Sequence, residues 1–175
     1  MGMFGVGASW VFVSMHSFGG VSVLFAIVGT LLFCILNAVI FAMPFSLSAF
    51  LPNKRYALLL GLPALWVINE WVRSWLLTGF PWLFAGYSHT DTWLNGWAPI
   101  GGIYLLSYFC GVLAVLAAQA RSHSRKKARI FSSIIVAALF LGGYILQQAK
   151  WTEPTGKELS VALVQPNIDQ SDKWS

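Results

Sequence analysis

No Lys, Arg, Asp or Glu occurs before Lys54, and the run from Val21 to Met43 holds 23 residues without a charge. As a helix rising about 1.5 Å per residue, that run crosses a hydrocarbon core of about 30 Å. A chain with such a segment is built for lipid, and four more stretches extend the pattern. Met1–Phe18 is closed by Gly19 and Gly20, Tyr56–Leu77 carries Pro63 as an expected kink, and Ile100–Ala120 and Ile130–Ala149 complete the set. With 57% hydrophobic and 10% charged residues, too little polar surface remains to clothe a soluble globule. The expected fold is therefore an α-helical multi-pass membrane protein with about five transmembrane helices, the first of them short and read as truncated.

The net charge of +5 does not point to nucleic acid. Lys54 and Arg55 form one basic cluster and Arg121, Arg125, Lys126, Lys127 and Arg129 another, both between apolar runs rather than interleaved with exposed aromatics. Because these clusters fall in alternate loops, both are expected on the cytoplasmic side, with the Gly79–Pro99 loop and the chain beyond Lys150 on the outside. No secretory signal peptide is visible. Cys34 and Cys110 lie inside apolar runs and read as packing residues, without a disulfide framework or metal-ligand spacing. No metal and no cofactor is expected.

The stretch Pro63–Gly102 breaks the apolar pattern. Glu70 and Arg73 stand three positions apart, a spacing that puts them on one helix face and lets them neutralise each other. An ion at the centre of a bilayer costs at least about 2.5–3.5 kcal/mol, so the pair should face protein, water or the headgroup layer. Residues 79–99 follow, rich in Gly, Pro and Trp and without a long apolar run, as an interfacial or re-entrant loop. Two readings stand side by side. Glu70, Arg73, Trp82, Tyr87 and His89 line a site for lipid substrates, or the charges are a helix-stabilising pair beside an aromatic belt. A Glu–Arg site beside a proline-broken helix also fits a transporter or channel subunit, although no internal repeat supports it.

Beyond Lys150 the composition changes. WTEPTGKE is a polar linker, and LSVALVQ alternates like a buried strand. The expected division is a transmembrane helical domain over residues 1–150, then a linker and the first strand of another domain over 151–175.

Three segments, NEWVRSWLLTGFPWLFAGYS, LNGWAPIGGIYLLS and VALVQPNIDQSDKW, occur in that order, and together with the apolar runs the chain resembles the bacterial apolipoprotein N-acyltransferases. His89 stands where that pattern has Gln and Asp169 where it has Pro. The resemblance implies an inner-membrane acyltransferase whose periplasmic nitrilase-like α/β domain uses Cys, Glu and Lys. These groups move an acyl chain from phospholipid to the N-terminal amine of diacylglyceryl-cysteine lipoproteins. It places those three residues beyond Ser175, so no catalytic residue is assigned here and the chain alone is expected to be inactive. It likewise implies further spans before Met1. Trp174 matches a Trp at the edge of the family's active site and joins the candidate lining residues, with domain packing as its other reading. The implied partners are the phospholipid donor, the lipoprotein acceptor and membrane lipids.

Overall fold

The computed structural model describes residues 1–51, 55–122, 126–170 and 172–173. Lys54 and Trp174 lie outside these residues, as does the side chain of Arg55. The contacts divide the chain into Met1–Leu36 with Lys150–Ser175, and Asn37–Ala149.

In the first unit, Met1–Phe18 is not one helix. A short α1 (Gly2–Gly7) ends at Ala8, and α2 (Trp10–Val13) runs on as a π-turn over Ser14–Phe18. Gly20, at φ 65°, turns the chain, as the Gly-Gly pair predicts. Helix α3 (Val23–Ser46) then extends beyond the expected end at Met43, passing Pro44 before a 3-10 turn at Leu47–Phe50. Leu24, Phe25 and Leu32 on α3 are exposed, as they must be on a helix solvated by lipid. The segment Leu159–Gln165 has no regular structure, and Leu163 is 95% exposed. A strand is stable only with a ladder partner, and the described residues contain no second strand.

The second unit is a helical cluster of α4 (Arg55–Trp75), α5 (Ala98–Ser122) and α6 (Lys126–Gln147), with the end of α3 against it. Leu59, Val112 and Leu116 form its buried centre, packed by Tyr108, Ile135 and Leu139. Gly111 brings α4 and α5 close: a Cβ there would stand 2.9 Å from Pro63. Helix α4 continues through Pro63. In α5, Gly102 sits at φ 61°, where a side chain is strained, and the regular helix follows it.

By length and composition, three helices among the described residues suffice to cross a membrane: Val23–Phe50, Trp93–Arg121 and Lys126–Gln147. The expectation of five is thus reduced. The first segment is broken at Ala8, and α4 has the length but carries Asn69, Glu70 and Arg73 in its last turns.

Candidate functional site

Trp66, Asn69, Glu70 and Arg73 recur at the three- and four-residue spacing of one helix stripe, and that stripe of α4 faces protein. Asn69, Glu70 and Arg73 are all buried, at 0%, 1% and 1% exposure. Trp66 is wedged against Phe41 and Phe45 of α3, ring centroids 5.0 and 5.9 Å away, and its Nε1 donates to Glu70 Oε1 at 2.8 Å. Asn69 Nδ2 donates to the Ile40 carbonyl at 2.9 Å. That acceptor is available because its helical partner four residues on is Pro44, which has no N–H.

Beyond Trp75 the backbone departs sharply from a helix. Leu77, Thr78 and Leu83 have φ of 54°, 74° and 63°, a region that costs a non-glycine residue about 1–3 kcal/mol and persists where neighbours enforce it. The enforcing groups come from α4 and α5. Phe80 N–H donates to the Arg73 carbonyl at 2.7 Å, and Arg73 Nη2 donates to the carbonyls of Trp82 and Leu83 at 3.1 and 3.4 Å. Next, Phe84, Ala85 and Gly86 are tied one after another. The buried Phe84 ring lies under the Arg73 guanidinium at 5.2 Å, Ala85 N–H donates to Glu70 Oε1 at 2.7 Å, and Gly86 N–H donates to Ser107 Oγ at 2.9 Å. Cys110 closes the same spot, its Sγ 3.5 Å from the Ala85 carbonyl.

Glu70 and Arg73 act on one another electrostatically, and besides the Trp66 bond to Glu70 both reach the loop backbone, Glu70 accepting from an N–H and Arg73 donating to C=O groups. Together they fold the loop onto the helices. Its outward surface is aromatic: Trp82 stacks on Phe80 at 5.2 Å and Tyr87 on Phe84 at 5.9 Å, and both remain about half exposed. Pro81, Trp82, Leu83 and Tyr87 line a groove of about 350 Å³. His89 stands apart from it. Its Nδ1 meets Thr92 Oγ1 at 3.2 Å, and its ring meets the edge of Phe140 on α6 at 6.3 Å.

The remainder of the loop docks on α6. A Cβ on Gly96 would overlap the Gly143 carbonyl and one on Gly143 the Trp93 carbonyl, so the two backbones touch. Trp97 Nε1 donates to the Leu139 carbonyl at 2.9 Å, and Gln147 Nε2 to the Thr92 carbonyl at 3.0 Å.

This fold of loop on helices lies within residues 1–116, which match the family model described as the apolipoprotein N-acyltransferase N-terminal domain, except for its α6 contacts. The chain belongs to the apolipoprotein N-acyltransferase family. It is 41% identical to the apolipoprotein N-acyltransferase of Pseudomonas syringae pv. tomato, over 99% of this chain and 35% of that protein. Identity is 39% to the enzyme of Coxiella burnetii, again over 99% of this chain and 36% of the relative. The chain thus spans about a third of the length of the curated relatives it matches. Membership in this acyltransferase family displaces the transporter or channel reading.

Of the residues singled out in the sequence, Glu70, Arg73, Trp82 and Tyr87 come together and His89 turns to α6. Sequence reasoning missed Trp66, Asn69, Phe84, Ser107 and Cys110. The stripe of α4 signals the first two, whereas Ser107 and Cys110 carry no signal of their own until α5 is placed against the loop.

Proposed function

We propose that this chain is the membrane portion of an apolipoprotein N-acyltransferase, and that its 76–97 loop is the platform on which a phospholipid presents its acyl chain to a catalytic domain. The observation that carries the reading is the groove at Trp82 and Tyr87, an amphipathic aromatic surface of the kind that sits at headgroup level. Arg73, itself buried, holds the groove's backbone through the Trp82 and Leu83 carbonyls. On this reading α4 also spans the inner membrane, loop 79–99 and the residues after Lys150 face the periplasm, and Leu159–Gln165 is the first strand of a nitrilase-like domain. The substrates are a phospholipid donor and a diacylglyceryl lipoprotein acceptor.

The test is a chimera in which residues 1–175 replace the matching segment of the Pseudomonas syringae relative. The chimera should N-acylate a diacylglyceryl peptide, and Trp82→Ala with Tyr87→Ala should raise the KM for phospholipid. A chimera that inserts and folds yet transfers no acyl chain would sink the reading. Orientation is read separately with an impermeant thiol reagent in intact cells, using Ser88→Cys and Lys126→Cys in a background lacking Cys34 and Cys110. Ser88→Cys should label and Lys126→Cys should not; the reverse pattern overturns the topology.

A further inference from the structure

The far ends of α5 and α6 form a second lipid-shaped feature. Leu113, Leu116, Ala117, Val136, Ala137 and Phe140 wall an apolar groove of about 570 Å³ between the two helices, with Arg129 and Ser133 at one end. An adjoining hollow of about 730 Å³ shares Arg129, Ser133 and Ala137 and adds Lys126 and Ile134. Both volumes fall in the range of about 300–1000 Å³ usual for small-molecule sites.

Charge selects the occupant. Lys126, Lys127 and Arg129 are exposed in the opening turns of α6, which has no acidic residue in its first turn. No Asp or Glu occurs anywhere between Asp91 and Glu153 to balance them. Cations at that end of a helix also oppose its dipole, so an anion beside them is favoured twice over. An apolar trough along two spans, with Arg and Lys at its mouth and no acidic residue in its described lining, is complementary to one molecule class: a lipid with a phosphate headgroup and an acyl chain.

We propose that the α5–α6 groove binds one anionic phospholipid. Its phosphate rests on Arg129 and Lys126, its acyl chain lies along Leu116, Val136 and Phe140, and it comes from the leaflet opposite the Trp82 groove. Since Ala98–Ser122 carries its Gly102 and loop contacts at one end and Arg121 at the other, the two grooves lie at opposite ends of α5. This lipid is a resident of the fold rather than a substrate.

The full chain, reconstituted in phosphatidylcholine nanodiscs containing a minority of phosphatidylglycerol, is released into mild detergent and weighed by native mass spectrometry. One phosphatidylglycerol should be retained in preference to phosphatidylcholine, and inorganic phosphate should not displace it. Lys126→Gln with Arg129→Gln should weaken retention about twenty-five-fold, at roughly five-fold for each cation removed near a membrane surface. Ala137→Phe, which fills the trough and leaves the charges, should abolish it, whereas Arg121→Gln, outside the lining, should change it less than about two-fold. Quenching of a fluorophore at Ser133→Cys by brominated phosphatidylglycerol, in the otherwise unaltered groove, reports occupancy even if a variant misfolds. Equal retention of the two lipids, absence of quenching, or a Ser133→Cys disulfide dimer that excludes lipid would each overturn the proposal.

Discussion

The charges of α4 and of α6 are used in opposite ways. On α4, Glu70 and Arg73 are turned inward, and the hydrogen bonds of Glu70 Oε1 and Arg73 Nη2 hold a strained loop whose own backbone has few helical partners. On α6, Lys126, Lys127 and Arg129 are exposed in the opening turns of the helix. Buried charge is tolerated in lipid only where other polar groups satisfy it, so the α4 pair is structural in effect even beside a functional groove. Exposed charge at the end of a span is available for headgroups instead.

The largest effects should come from breaking the α4 side. Glu70→Leu removes the acceptor of Trp66 Nε1 and Ala85 N–H and strands a buried guanidinium, a loss of about 3–5 kcal/mol that denaturant titration in detergent would read. Swapping the pair, Glu70→Arg with Arg73→Glu, should not rescue it. The exchanged groups would set a cation against the Ala85 N–H and a carboxylate against the Trp82 and Leu83 carbonyls. Recovery in the double swap would show that mutual neutralisation outweighs the loop contacts.

Next in size is Gly143→Val, which drives a side chain into the Trp93 carbonyl and should cost at least about 1–3 kcal/mol, detected as protease access to loop 79–97. Asn69→Leu should cost about 1–3 kcal/mol by orphaning the Ile40 carbonyl. Pro44→Ala restores the helical donor for that carbonyl, so the double variant should regain much of the loss, and strict additivity would refute the assignment. Smallest is Trp82→Ala. Half exposed and stacked on Phe80, it should change stability by less than about 1 kcal/mol while weakening phospholipid use in the chimera, which separates groove from scaffold.

Much of this was legible in the one-dimensional pattern. A run of residues without charge leaves a chain no alternative to lipid or a large core, which is why Val21–Met43, Ile100–Ala120 and Ile130–Ala149 each coincide, to within two residues at an end, with a helix of spanning length. Composition likewise made 79–99 a loop, since Gly, Pro and polar breaks forbid a long helix there. The same reasoning overrated Met1–Phe18, where Gly7 and Ser9 flank the break at Ala8 but a lone Gly or Ser is also tolerated inside an apolar helix.

What only the tertiary structure decided is where polar groups find partners. Spacing alone allows Glu70 and Arg73 to neutralise each other, and nothing along the chain says that each also bonds to the loop backbone, at Trp82 and Leu83 for Arg73 and at Ala85 for Glu70. Pro44 announces an orphaned carbonyl at Ile40, but not that Asn69 of another helix will satisfy it. Apolar burial is roughly additive along a sequence and so can be read from it, whereas a hydrogen bond is directional and short-ranged. Its partner is settled only when distant segments have been brought within about 3 Å of one another.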